Sequence, residues 1–334
     1  MDKTKNSNAA QVSLKKKRQG SSDVSTDDQD KMTATEPVRQ IKKLARDKGA
    51  IILAHNYQID EIQDIADFSG DSLELSQMAA KNDARMIVFC GVHFMAESAA
   101  ILSPRKKVII PDPTAGCPMA DMVGPDDVAE LRRQHPRAMV VTYINSTAAV
   151  KACSDVICTS SNAVKIVERV EADEIIFLPD KNLGSYVQRF TKKHIILWKG
   201  FCPTHERFTR EDLIAVREQH PDALVMVHPE CRPDVIDMAD EVLSTGQMVK
   251  FVQQTDKKKI IVGTEIGMIH KLRSVAPDIK YILASESFIC PNMKKINLRV
   301  LLRSLESEQT IVTVEDGVRD KARKALDRML ELSY

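Results

Sequence analysis

Three of the seven cysteines are each followed by proline: Cys117-Pro118, Cys202-Pro203 and Cys290-Pro291. With seven cysteines and fourteen prolines in 334 residues, fewer than one such pair is expected by chance. The pairs stand 85 and 88 residues apart, and each follows a short apolar stretch, over 108–110, 194–198 and 281–284. Regular spacing with matching flanks marks an internal repeat. If three equivalent units surround a common axis, their equivalent loops converge and the three thiols meet. Three thiolates without a nearby fourth suit zinc with one open position or an iron–sulfur cluster with one open iron. Zinc sites of this kind usually take ligands at short sequence spacing, so ligands from three separate units favour the bulkier [4Fe–4S] cube. Of the other cysteines, Cys90, Cys153 and Cys158 read as small buried hydrophobes. Cys231 reads as a neighbour of the site rather than a ligand.

A second repeated set carries acid–base groups. The first strand of each unit is expected to end in polar residues: His55-Asn56-Tyr57, Tyr143-Ile144-Asn145 and His228-Pro229-Glu230. A structural strand end can use any turn former, whereas three ends bearing imidazole, phenol, amide and carboxylate form a composite acid–base site. Tyr57, Tyr143, His228 and Glu230 are the expected proton-handling groups. Seventeen residues after His55, Tyr143 and His228 stand Ser72, Ser160 and Thr245, each in a hydroxyl-rich run expected to open a helix. Such residues usually only cap the helix. Three at equivalent positions, each beside unpaired backbone N–H groups, suit an anionic substrate with more than one acidic group.

These residues need a frame that delivers strand ends and helix starts to one place. Apolar runs alternate with amphipathic stretches: a strand over 50–54, a helix after Ser72, a strand over 85–90, a helix over 93–102 and a third strand over 108–110. The first strand returns over 138–143 and 223–228, and the second over 175–177 and 260–262. The helix before each first strand also returns, as Leu44-Ala45-Arg46, Leu131-Arg132-Arg133 and Val216-Arg217-Glu218. Strand–helix alternation implies parallel sheets with right-handed crossovers, and ligands bind beyond the carboxyl ends of such strands. The expected fold is α/β, with repeats over 36–122, 123–207 and 208–293. Closing helices are expected over 294–334, and a disordered polar tail over 1–35.

Bulk properties exclude several classes. There are 48 Lys+Arg against 47 Asp+Glu, a net charge of +1 that gives no footprint for nucleic acid. No apolar run approaches the length of a membrane span, and the N-terminus lacks a secretory signal. An odd number of scattered cysteines fits a reducing cytoplasm.

Taken together, the runs 55–57, 70–72, 115–120, 200–205, 228–231, 244–246 and 290–293 resemble the quinolinate synthase family, over residues 36 to about 310. The resemblance implies three tandem pseudo-symmetric three-layer αβα domains, with parallel sheets around a central active site. It implies a [4Fe–4S] cluster held by Cys117, Cys202 and Cys290. The implied reaction, a transferase step in NAD biosynthesis, condenses iminoaspartate with dihydroxyacetone phosphate to quinolinate, phosphate and water. The family's substrate-binding positions fall on His55, Ser72, Tyr143, Asn145, Ser160, His228, Glu230 and Thr245. The expected partners are these small molecules and the enzyme that supplies the unstable imine. Two other classes share some features: a different cluster-dependent hydro-lyase, and a non-enzymatic iron–sulfur sensor. A sensor has no need of the polar strand ends.

Overall fold

A computed structural model describes residues 36–333. The tail expected over 1–35 lies outside the described residues. Twelve strands form three four-stranded sheets among these residues. The first contains β1 (Ala50–His55), β2 (Phe68–Gly70), β3 (Met86–Cys90) and β4 (Lys107–Ile109). The second contains β5 (Met139–Tyr143), β6 (Val156–Cys158), β7 (Glu174–Leu178) and β8 (His194–Leu197). The third contains β9 (Leu224–Val227), β10 (Glu241–Val242), β11 (Lys259–Gly263) and β12 (Lys280–Leu283).

Each sheet has the same order, β2-β1-β3-β4 in the first, and every pairing is parallel. The central strands read as continuous apolar runs because helices cover both faces; all five residues of β3 are buried. The result is three tandem three-layer αβα units. In each, the strand order reverses between the first and third strands, where β1 lies beside β3. That switch point opens a crevice at the carboxyl ends of the strands.

One strand per repeat differs from the sequence reading. The strands β2, β6 and β10 were not expected, so the strand expected third over 108–110 is the fourth, β4. They are only two or three residues long, too short to stand out, although β6 is the buried apolar run Val156-Ile157-Cys158. An aspartate seats each of them. Asp67 Oδ2 accepts the Ile52 N–H, Asp155 Oδ2 the Val140 N–H and Asp240 Oδ2 the Val225 N–H, all at 2.7 Å and 15 residues apart. The backbone N–H of each aspartate returns the bond to the same first-strand residue, at 3.0, 3.0 and 2.9 Å. In the second and third repeats, Arg132 and Arg217 from the preceding helix pair with Asp155 and Asp240 at 2.9 and 3.5 Å.

The helix Ser72–Lys81 begins with a reciprocal cap. Asp71 accepts from the N–H groups of Leu73 and Glu74, and Glu74 accepts from that of Asp71. Thr245–Gln254 starts likewise, with Ser244 and Gln247 in the capping roles. The second repeat departs from this pattern. Its helix is Ala163–Arg169, so Ser160 sits in a turn before the helix rather than at its first residue.

Two further helices close the structure. Leu298–Ser307 packs on Glu36–Lys48 and completes a core layer of the first repeat with Leu301 and Leu305. Asp316–Leu332 lies across the helices Ala148–Ala152 and His93–Leu102, and buries Ala322, Ala325, Leu326 and Met329 between the first two repeats. The third repeat encloses two cores whose buried residues are all its own. No helix among the described residues is long and apolar enough to cross a membrane.

Candidate active site

The carboxyl ends of the three sheets face one cavity of about 940 Å³, mouth included. Cys117, Cys202 and Cys290 line it, one from each repeat. So do the strand-end residues His55, Tyr57, Tyr143, Asn145, His228 and Glu230, and the hydroxyl residues Ser72, Ser160 and Thr245. The sequence repeat thus selects residues, remote in the chain, that share one space.

Each Cys-Pro pair opens a tight turn. Cys202 precedes the helix Pro203–Glu206, while Cys117 and Cys290 precede the 3₁₀ turns Ala120–Met122 and Met293–Lys295. Proline suits the first position because the N–H it lacks would have no helical partner there. Backbone N–H groups further on face the sulfur: those of Ala120 and Met119 for Cys117, His205 for Cys202, and Met293 and Asn292 for Cys290. Burial nevertheless pushes the thiols up, Cys117 to about 12, Cys202 well above its ordinary value and Cys290 above its own. Three half-buried cysteines whose sulfurs are backed by N–H donors, with only Cys290 near a positive charge, that of Lys294, are a donor set for a sulfur-bound metal group. The ligand atoms of Cys202, His205 and Glu230 also lie within 4.8 Å of one another, close enough to hold a metal ion. Cys90, Cys158 and Cys231 are buried in cores, the Cys231 thiol lying 3.5 Å from the Gly263 carbonyl. Cys153 packs against another core.

The two strand-end histidines share one local design. The Tyr57 N–H donates to His55 Nδ1 at 3.1 Å, and the Glu230 N–H donates to His228 Nδ1 at 3.3 Å. A ring nitrogen that accepts carries no proton, so Nε2–H is the remaining donor of each neutral ring. Burial depresses His55 to about 4 and His228 to about 3, and keeps both rings neutral near pH 7. His228 Nε2 lies 3.3 Å from Ser160 Oγ, joining the third repeat to the second.

Glu230 anchors the polar network. Its Oε1 accepts from the Tyr143 hydroxyl at 2.6 Å and from Asn145 Nδ2 at 3.3 Å. Its Oε2 lies 2.8 Å from His205 Nδ1. Burial opposes the charge of this carboxylate. The charge of His228 and His205 when protonated, with hydrogen bonds from His205 and Tyr143, outweighs burial and holds it below the usual carboxylate range. Burial and Glu230 raise both Tyr57 and Tyr143 well above 10, so both phenols stay protonated.

From Glu230 the network continues to Tyr57. His205 Nε2 lies 2.9 Å from Thr264 Oγ1, which lies 2.6 Å from the Tyr57 hydroxyl. With a neutral His205 the bonds run one way, from Tyr57 to Thr264 to His205 to Glu230. This path can pass a proton from the Tyr57 hydroxyl toward Glu230, on which the Tyr143 hydroxyl also converges.

Thr264, Glu265 and Lys294 were not singled out from the sequence, and Asp71 and His205 stood only within the runs 70–72 and 200–205. Thr264 and Glu265 follow directly on β11, and strand-end reasoning applied to this strand as well as to β9 would have found them. Asp71 lines the cavity, and burial with the nearby Glu74 charge raises it to about 6. The helix starts are more occupied than expected: Asp71 and Ser244 already take inner N–H groups, so Ser72 and Thr245 chiefly offer hydroxyls. Asn56, between two site residues, reaches across to Thr245, donating to its hydroxyl at 3.1 Å.

Three pseudo-equivalent α/β units closing on a cavity with sulfur donors and a buried acid–base network define a multidomain α/β protein with a candidate metal-binding active site. A family model described as quinolinate synthetase A protein matches residues 39–331. A quinolinate synthase of Dehalococcoides mccartyi is 55% identical over 293 residues, 88% of this chain and 97% of that protein. One from Caldicellulosiruptor saccharolyticus is 54% identical over 296 residues, 88% and 98% of the two chains. Quinolinate synthase 1 of Methanosarcina acetivorans is 51% identical over 299 residues, 90% and 98%. The chain belongs to the quinolinate synthase family.

Proposed function

We propose that the chain condenses iminoaspartate with dihydroxyacetone phosphate to quinolinate, releasing phosphate and water, as a transferase of NAD biosynthesis in the cytoplasm. The observation that carries this reading is the shared cavity, where three Cys-Pro thiols from three repeats meet a set of neutral hydrogen-bond donors. Cys117, Cys202 and Cys290 would hold a [4Fe–4S] cluster, the sulfur-rich group that best suits donors on three separate turns. When bound, its open iron supplies a Lewis acid that polarises a substrate oxygen.

The chain's own residues then have distinct tasks. The neutral His55 and His228 present Nε2–H donors, and Ser72, Ser160, Thr245 and Asn145 add hydroxyl and amide donors. Such donors suit the two carboxylates of the imine and the phosphate of the triose without adding a net charge to bury. Tyr57 and Tyr143 keep their protons until a substrate atom demands one. Glu230 stabilises the positive charge that His205 gains if a proton travels along the Tyr57–Thr264–His205 path. The units over 36–122, 123–207 and 208–293, with closing helices over 294–334, are the proposed domains. Because the imine is short-lived, an enzyme that produces it is the proposed partner.

The test is anaerobic purification with iron and sulfide analysis, followed by an assay with imine generated in place and the triose phosphate. Iron-loaded protein should form quinolinate, and serine at 117, 202 or 290 should abolish stable iron binding. Serine at 90, 153, 158 or 231 should not. Iron-loaded protein that forms no quinolinate would overturn the activity, and a stable full cluster in any of the first three variants would overturn its ligation.

A further inference from the structure

We propose that Lys294 and Glu265 are positioning residues that lock the Cys290 turn to the Tyr57 strand end, holding a thiol of the third repeat and a phenol of the first in one register. Lys294 Nζ donates to the Tyr57 carbonyl at 2.6 Å. The same ammonium lies 2.9 Å from Glu265 Oε1 and donates to Oε2 at 3.0 Å. Glu265 Oε1 in turn accepts the backbone N–H of Cys290 at 3.1 Å, and Oε2 accepts that of Gly267 at 2.7 Å. A continuous line therefore runs from the Cys290 backbone through a carboxylate and an ammonium to the Tyr57 backbone. The Glu265 side chain is 0% exposed and that of Lys294 20%, so the line is shielded from water.

The surroundings permit little slack. A Cβ on Gly267 would stand 2.6 Å from the Gln58 carbonyl oxygen and 2.8 Å from that of Tyr57, so only glycine allows the approach. Gln63 Nε2 donates to the carbonyls of Asn56, Gln58 and Gly267, at 3.1, 2.9 and 2.8 Å, and stitches both sides again. Gln58 Nε2 lies 3.4 Å from the sulfur of Met293, next to Lys294. Tyr57 lies past the end of β1, so no sheet ladder fixes it; Lys294 satisfies its carbonyl instead. Each charge of the pair is the other's compensation, and removing either leaves a buried charge alone.

The role of Cys290 as a metal ligand rests on the function proposed above; the coupling of the two segments does not. Lys294→Met, Glu265→Gln, the double variant and Lys294→Arg test it by amide hydrogen exchange on the full chain as purified. In Lys294→Met and Glu265→Gln, segments 56–58 and 290–294 should both exchange at least about tenfold faster, while β9 amides keep their rates. The double variant should exceed the larger single effect by less than about twofold, because both residues serve one line. Lys294→Arg should restore protection. In iron-loaded protein, both single variants should lose iron to a chelator faster and show a lower kcat with little change in KM. Faster exchange confined to 290–294, or additive effects in the double variant, would overturn the proposal. If Lys294→Met fails to fold, Glu265→Gln decides it by the same exchange pattern. Wild-type protein that takes up no iron would sink the cluster reading alone, since exchange still decides the coupling.

Discussion

Glu230 shows how one side chain can belong to all three repeats. It is carried by the third, bonded by Tyr143 and Asn145 of the second, and linked through His205 and Thr264 to Tyr57 of the first. Its depressed pKa means it is a carboxylate throughout the working range, so it accepts from Tyr143 and sets the direction of the path. Glu230→Gln keeps the shape but turns one acceptor into a donor, which cannot serve both the Tyr143 hydroxyl and His205 Nδ1. Turnover in iron-loaded Glu230→Gln should fall by at least ~100-fold, the low end for a lost acid–base function. Iron content should stay at the wild-type level. Near-normal turnover would remove Glu230 from the chemistry, and loss of iron would make its job structural.

At the scale of elements, the aspartates that seat β2, β6 and β10 are a threefold device. Each trades hydrogen bonds with one first-strand residue, and that strand delivers the site residues at its end. Asp155→Ala should leave the buried Val140 N–H without its carboxylate. The cost is about 1.5 kcal/mol, at the low end for a bond to a charged acceptor because the Asp155 side chain is 31% exposed. Thermal melting should drop by a few degrees, and an unchanged melting point would show that the backbone bond from Asp155 to Val140 suffices. The device also shows what the sequence could reveal. Long buried strands were legible because both-face burial writes an apolar run, and the site emerged because repetition singled out strand ends. The short strands were not legible, since a pair such as Glu241-Val242 makes its bonds through backbone and carries no pattern. A clue stood in the chain nonetheless, with Asp67, Asp155 and Asp240 spaced 88 and 85 residues apart. Neither His205 nor Thr264 repeats, so a search by symmetry passed over the middle of the proton path.

For the whole molecule, the neutral buried imidazoles make acid a specific threat. His55 and His228 titrate at about 4 and about 3 in the fold, through burial first, with Glu230 opposing that shift and Lys294 or the neighbouring imidazoles adding to it. Unfolded, they take up protons near 6.5. The folded state therefore keeps their full contribution above 6.5 and loses it as pH falls through the window down to 4 and 3. By pH 5 each has cost about 2 kcal/mol. Urea unfolding between pH 5 and 7.5 should show this slope, and His55→Gln should remove about half of it. A slope unchanged in both His55→Gln and His228→Gln would refute the assignment.

The placement of the two closing helices bears on how the protein is made. Synthesis runs from the N-terminus, and domains generally fold as units in that order. Here the first repeat leaves the ribosome early, yet its core layers include Ile296, Leu301, Leu305, Ala322 and Leu326. The third repeat, translated later, fills both its cores from its own residues. The oldest part of the nascent chain is thus the last to be finished. Its apolar faces stay open to chaperones, or to other nascent chains, until the helices Leu298–Ser307 and Asp316–Leu332 have been added.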